Sequence, residues 1–212
     1  MKIEYVDHMG DDLRVVNSAR VSFNKQKENL DKKDEKLISY LAKHKHWTPF
    51  SHPQICVRIT APIFIARQWF KSTIGLSRNE VSRRYVDDEP EFWSPESWMG
   101  RPDKSLKQGA GDSLNQETQD NASVEYFYAL KVCRDAYESL LRMGVAPQQA
   151  RAVLPQSMYT SWYETGSLAA FARIYGLRVD EHAQYEIQEL AKQLEPIIKD
   201  HFPVSWEALK GE

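Results

Sequence analysis

The chain has 212 residues, 42% of them hydrophobic and 11% aromatic, with a formal net charge of −2. That is enough for a single domain, 1–212, with a sizeable core, and the aromatic content excludes a disordered chain. The near-neutral balance argues against a duplex nucleic-acid binder, which needs a basic face. No apolar run approaches the roughly 18 residues of a membrane helix, and MKIEYVDHMG lacks the apolar stretch of a signal peptide. Cys56 and Cys133 are far apart and form no CxxC, so they read as reduced core thiols of a cytoplasmic protein without a metal site.

In chain order, MKIEYVD suits an opening strand, and DDLRVVNSARVSF reads as a short helix with acidic residues at its start. DKKDEKLISYLAKHKH predicts a second helix, broken by TPF. HPQICVRITAP alternates as a half-buried strand, and IFIARQWF follows Pro62 as a helix. NEVSRRYV suits an extended segment. From about 87 to 119 the pattern dissolves into proline, glycine and charge, an irregular excursion of the kind that often carries function. TQDNASVEYFYALKVCRDAYESLLRMG is the longest helical pattern, ending at Gly144. APQQARAVLPQ predicts a short helix and SMYTSWYET a strand. SLAAFARIYG predicts a helix between an N-cap at Ser167 and a C-cap at Gly176, and DEHAQYEIQELAKQLEPIIKDHF one long terminal helix. The sum is an α+β fold, helix-rich, around a small central β-sheet.

No phosphate loop, dinucleotide fingerprint or nucleophile elbow is present. His44, His46 and His52 lack the carboxylate or thiolate partners of a metal site. Arginine is the informative residue. Arg67, Arg78, Arg83 and Arg84 crowd one stretch with Lys71, and Arg151, Arg173 and Arg178 lie on segments that also carry core residues. Partly buried guanidinium groups need anionic partners, either acidic side chains or a bidentate oxyanion ligand. Gln68, Asn79, Glu80 and Ser82 add the mixed donors and acceptors that would fix a base or ribose. The residues alone point to a polar, phosphorylated ligand.

Four stretches then carry a resemblance to the flavin-dependent thymidylate synthases: ARVSF (19–23), HKHWTPFSH (44–52), APIFIARQWF…NEVSRRY (61–85) and ARAVLPQSMYT…LRVDEHAQYEIQ (150–188). The resemblance implies a homotetramer with active sites at subunit interfaces, reducing and methylating dUMP to dTMP. FAD is the implied cofactor, with methylenetetrahydrofolate as carbon donor and NADPH as reductant. It implies dUMP binding by Gln68, Lys71, Glu80, Ser82, Arg83, Arg84, Arg151 and Arg178. Ser82 and Arg84 would hold the phosphate, and Arg178 would activate the uracil without a protein nucleophile. FAD is expected against Ser22, Thr48, Lys71, Ser72, Thr73, Ile74, Glu80, Ser167, Arg173 and His182, with His46 and Tyr85 on the folate and nicotinamide side.

The chain departs from the family pattern on the flavin side. The Arg-His-Arg triplet reads Lys71-Ser72-Thr73 in one register and Ser72-Thr73-Ile74 in the other. An expected Asn-x-Arg reads Ser167-Leu168-Ala169, a later Asn reads Arg173, and the acid after TPF reads Ser51. Altered flavin contacts are therefore expected. Two alternatives stand beside the synthase: a related pyrimidine nucleotide hydroxymethylase, and a non-catalytic nucleotide or single-strand binder that stacks bases on Trp69, Tyr85, Trp93 and Trp98.

Overall fold

The structure is a computed structural model that describes residues 1–102 and 109–210. The six residues 103–108 of the 87–119 excursion lie outside the described residues. The chain divides into two compact units. The first comprises Met1–Ile59, Trp69–Asn79 and Trp162–Glu212, and the second Thr60–Gln68 and Glu80–Ser161.

A four-stranded antiparallel sheet has the order β1-β2-β4-β3, with β1 Lys2–Met9, β2 Gln54–Pro62, β3 Leu76–Glu80 and β4 Tyr159–Ser167. The β2–β4 register is set by Leu168 N–H donating to Pro53 C=O (3.1 Å), and that of β3–β4 by Ser167 N–H donating to Gly75 C=O (3.2 Å). Period-2 burial of Ile55, Val57 and Ile59 turns one face of β2 to the core.

In the first unit, α1 (Asp12–Arg20) is capped by Asp11, and α2 (Lys32–Lys43) opens with a capping box between Asp31 and Asp34. Short 3-10 turns follow at Val21–Phe23 and Thr48–Ser51. The C-terminal segment supplies α6 (Leu168–Val179), α7 (Tyr185–Lys192), α8 (Leu194–His201) and α9 (Pro203–Lys210). Helix α9 packs on α2 and α6, which buries Ile38, Phe171, Phe202 and Trp206. The Asp12 carboxylate, itself buried, accepts from the Val204 and Ser205 amides at 2.9 Å each and so caps α9 from the other end of the chain.

The second unit holds most of α3 (Ile63–Trp69), together with α4 (Gln116–Arg142) and α5 (Pro147–Ala150). Asn115 caps α4 through the Thr118 amide, and Gly144 at φ +83° follows its end. Between β3 and α4 the described residues form no helix, only bridges pairing Phe92 with Met158 and Met99 with Ser113.

Three expectations are corrected. Gly176 lies inside α6, which runs on through Arg178 to Val179; a Cβ there would meet nothing within 4 Å, so the glycine is tolerated. The pattern at 180–202 is two helices, α7 and α8, interrupted at Gln193, because Pro196 has no N–H to donate to Lys192 C=O. The Gln193 side chain instead accepts from Ile3 N–H at 2.9 Å. Both cysteines are half-buried free thiols rather than fully buried core residues.

Candidate active site

In the first unit the expected residues gather in two places. Ser22, Thr48 and His46 line a depression of about 580 Å³ formed by the end of α1 and the segment after α2. Lys45, at φ +58°, lies in the turn after α2, and His46 and Trp47 beyond it are exposed. A second cavity of about 470 Å³ shares Lys45 and His46. Its walls are apolar (Leu41, Phe50, Ala172), and Arg173 and Lys210 stand beside them.

The second gathering is the loop Lys71–Gly75 against the start of α6. Ser167 caps α6 by accepting from the Ala170 amide at 3.2 Å. The Arg173 guanidinium donates to Ile74 C=O at 2.6 Å. Gly75 adopts φ +76°, and a Cβ there would lie 3.1 Å from Ala170 Cβ. Its neighbour Gly166 is tighter: a Cβ would sit 2.4 Å from Leu76 Cδ2 and 3.0 Å from Gly75 O. The loop can approach α6 only because both positions are glycine.

Beneath the loop lies a group the sequence reading missed. Glu164 is fully buried and accepts from the Trp69 and Trp162 indoles at 2.8 Å each and from Arg78 at 2.9 Å. Arg78 also donates to Ser72 C=O at 2.6 Å and lies over the Phe70 ring. Its anionic partner is thus a side chain. The signal was present: Thr160, Trp162, Glu164 and Gly166 share the inward register of β4, which puts an acid in the core.

Arg178 lies in the last turn of α6, half-buried, and burial pushes its guanidinium below the usual arginine range. His182 lies in the turn after α6 rather than in a helix. Its amide (2.9 Å) and ring (3.0 Å) meet the Asp180 carboxylate and hold it below the usual carboxylate range.

In the second unit, β3 stops at Glu80, so the expected extended segment gives way to a turn in which Tyr85 N–H donates to Ser82 C=O at 3.0 Å. The Arg84 amide donates to Ser82 Oγ at 3.3 Å, and its exposed guanidinium lies 5.3 Å from the centre of the Tyr85 ring. Arg83 instead pairs with Asp88 at 2.8 Å. Glu80 accepts from the Thr160 hydroxyl at 2.7 Å. Exposed Arg151 donates to Gln148 C=O at 3.3 Å, and Gln68 is half-buried on α3. Of the four aromatics offered for base stacking, Trp69 is buried on Glu164 and Trp98 is bound to Ser123 at 3.0 Å, while Tyr85 is 78% exposed.

The chain matches the family model described as thymidylate synthase complementing protein over residues 4–204. It is 40% identical to the flavin-dependent thymidylate synthase of Thermosipho africanus over 217 residues, covering 97% of this chain and 89% of the relative. The Thermus thermophilus enzyme of that name is 34% identical over 208 residues, covering 98% of this chain and 75% of the relative. Among solved structures, the UMP/dUMP methylase PolB from Streptomyces cacaoi bound with 5-Br dUMP superposes with a TM-score of 0.87 at 31% identity, covering 99% of this chain and 94% of that one. The same protein bound with 5-Br UMP gives the same TM-score at 28% identity, covering 99% and 93%.

Proposed function

The chain belongs to the thymidylate synthase complementing protein family, that of the flavin-dependent thymidylate synthases, and on that footing we propose that it methylates dUMP to dTMP. The observation that carries this reading is a family match running from residue 4 to 204, with relatives named for the reaction. Methylenetetrahydrofolate supplies the carbon to C5 of the uracil, and NADPH is the reductant. The enzyme is a homotetramer with its sites at subunit interfaces.

Ser82 and Arg84 bind the nucleotide phosphate: the turn offers a hydroxyl, and the exposed guanidinium fork takes an oxyanion bidentately. Gln68, Lys71, Glu80, Arg83 and Arg151 complete the dUMP set. Arg178 faces the pyrimidine and stabilises negative charge developing at its N3/O4 side. Half-buried, it loses less of its field to solvent than a surface arginine does, and no protein nucleophile is then needed.

The flavin-side residues suit a flavin. An apolar cavity with Lys45, Arg173 and Lys210 at its walls has the chemistry for a planar ring carrying an anionic tail. Ser22, Thr48, Ser167, Arg173, His182, Glu80 and the loop Lys71–Ile74 hold it, with His46 and Tyr85 toward the folate and nicotinamide. When bound, the flavin supplies the hydride that completes the methyl group.

Anaerobic incubation with dUMP, methylenetetrahydrofolate, NADPH and FAD, read by mass spectrometry, tests the reading. dTMP is expected, with Arg178→Ala reducing turnover by about 10²–10³. A product carrying an extra oxygen would make the protein the hydroxymethylase, and unchanged dUMP would overturn both. The solved PolB complexes favour a second reading, in which UMP is also accepted; it belongs in the same assay.

A further inference from the structure

The loop that stands where the family has Arg-His-Arg is ordered by its carbonyls. Four consecutive acceptors are taken: Ser72 C=O by Arg78 (2.6 Å), Thr73 C=O by Leu76 N–H (3.3 Å), Ile74 C=O by Arg173 (2.6 Å) and Gly75 C=O by Ser167 N–H (3.2 Å). The donors are not. Among the described residues, the amides of Thr73, Ile74 and Gly75 have no hydrogen-bond partner, and all three residues are exposed. Two of the four contacts come from guanidinium groups. Arg78 is itself fixed from below by Glu164, whose other oxygen is held by two indoles. Arg173 reaches the loop from α6.

A strip of main chain whose acceptors are consumed and whose donors are open favours anions. We infer that Arg78 and Arg173 are positioning residues for the flavin: by holding the loop carbonyls they present the Thr73, Ile74 and Gly75 amides to the cofactor's phosphate oxygens, in place of the side-chain charges missing from this chain. This rests on the flavin-dependent reading above. It gives Arg173 a different part from a direct phosphate contact, since its guanidinium is engaged with Ile74. Lys71 keeps the one basic side chain of the segment.

The full chain is tested through Arg173→Met and Arg173→Lys, at an exposed position where folding is not at stake, and through Glu164→Gln beneath the loop. Two quantities are read: FAD affinity by fluorescence quenching at low and high salt, and amide exchange at Leu76 and Ser167 in the cofactor-free protein. In Arg173→Met the FAD dissociation constant rises about tenfold, as expected for a lost charge-assisted hydrogen bond. Exchange at both amides accelerates, and the salt dependence of FAD binding stays that of the wild type. Arg173→Lys, which can still donate to Ile74 C=O, recovers most of both. Glu164→Gln loosens the same amides, and dUMP affinity is unchanged throughout. Unchanged exchange in Arg173→Met, with weaker FAD binding and a flatter salt dependence, would overturn the inference, because the guanidinium would then meet the phosphate itself. Faster exchange with unaltered FAD affinity would also overturn it. Wild-type protein that binds no flavin would sink the proposed function as well, an outcome distinct from the first two, in which wild-type binding is intact.

Discussion

Glu164 shows at single-residue scale how a charge is kept inside a core. Its carboxylate is satisfied by two indoles and one guanidinium, so removing it strands three donors. Glu164→Leu is expected to lower unfolding stability by about 3 kcal/mol or more, read as a shift in the urea midpoint without a change in slope. Tyr175 makes a second prediction. Burial, and then its 2.5 Å hydrogen bond to Glu195, push its phenol up to about 12. A raised pKa means the folded state keeps the proton longer than the unfolded chain, which loses it near 10. The contribution is therefore complete below about pH 10 and disappears as pH rises toward 12. The melting temperature of Tyr175→Phe should fall less steeply than that of the wild type across this window. At this scale sequence and structure divide the work. Arg178 and Ser82 were singled out through the family resemblance, while Arg78 was legible only as a cation in need of a partner. That its partner is an acid 86 positions away was not, because pairing across a sheet depends on register.

At the scale of elements, most boundaries follow from local chemistry. Asp11, Asp31, Asn115 and Ser167 each accept from a backbone amide of the helix they precede, and such caps are readable in the sequence. Gly176 was misread for a physical reason: a glycine after a helical pattern is normally a stop, but here the helix has solvent space beside it and continues. Gly166 was invisible for the opposite reason, since what demands it is Leu76, brought alongside by strand pairing. Gly166→Ala should force β3 and the loop away from β4, costing about 1–3 kcal/mol and weakening flavin binding more than dUMP binding. Thermal melts and ligand titrations check both halves of that statement. Asp12→Ala would uncap α9 and cost about 1–2 kcal/mol, measurable in the same melts.

On the scale of the whole molecule, the succession of predicted strands and helices foresaw a helix-rich α+β chain, and the sheet with its helices bears that out. The sequence periodicity did not mark α4 as exposed. Of its 27 residues only Leu130 and Tyr137 are buried, and Val124, Phe127, Tyr128 and Val132 form an exposed apolar stripe at helical spacing. Stripes of this kind usually meet another protein surface. With the proposed homotetramer, Phe127→Glu is expected to reduce the mass measured by light scattering and to lower the melting temperature. The wild-type melting temperature should climb with protein concentration, as mass action requires.

The Asp12 cap on α9 also has a consequence in time. Its acceptor and donors are 192 and 193 residues apart, so α1 emerges from the ribosome long before the helix it caps exists. At ordinary elongation rates the delay is on the order of 10–40 s. The segment Glu80–Ser161, contiguous in the chain, can condense while translation proceeds. The unit that carries Arg178 draws on Met1–Ile59 and on Trp162–Glu212, so its packing cannot be completed until both segments have been made.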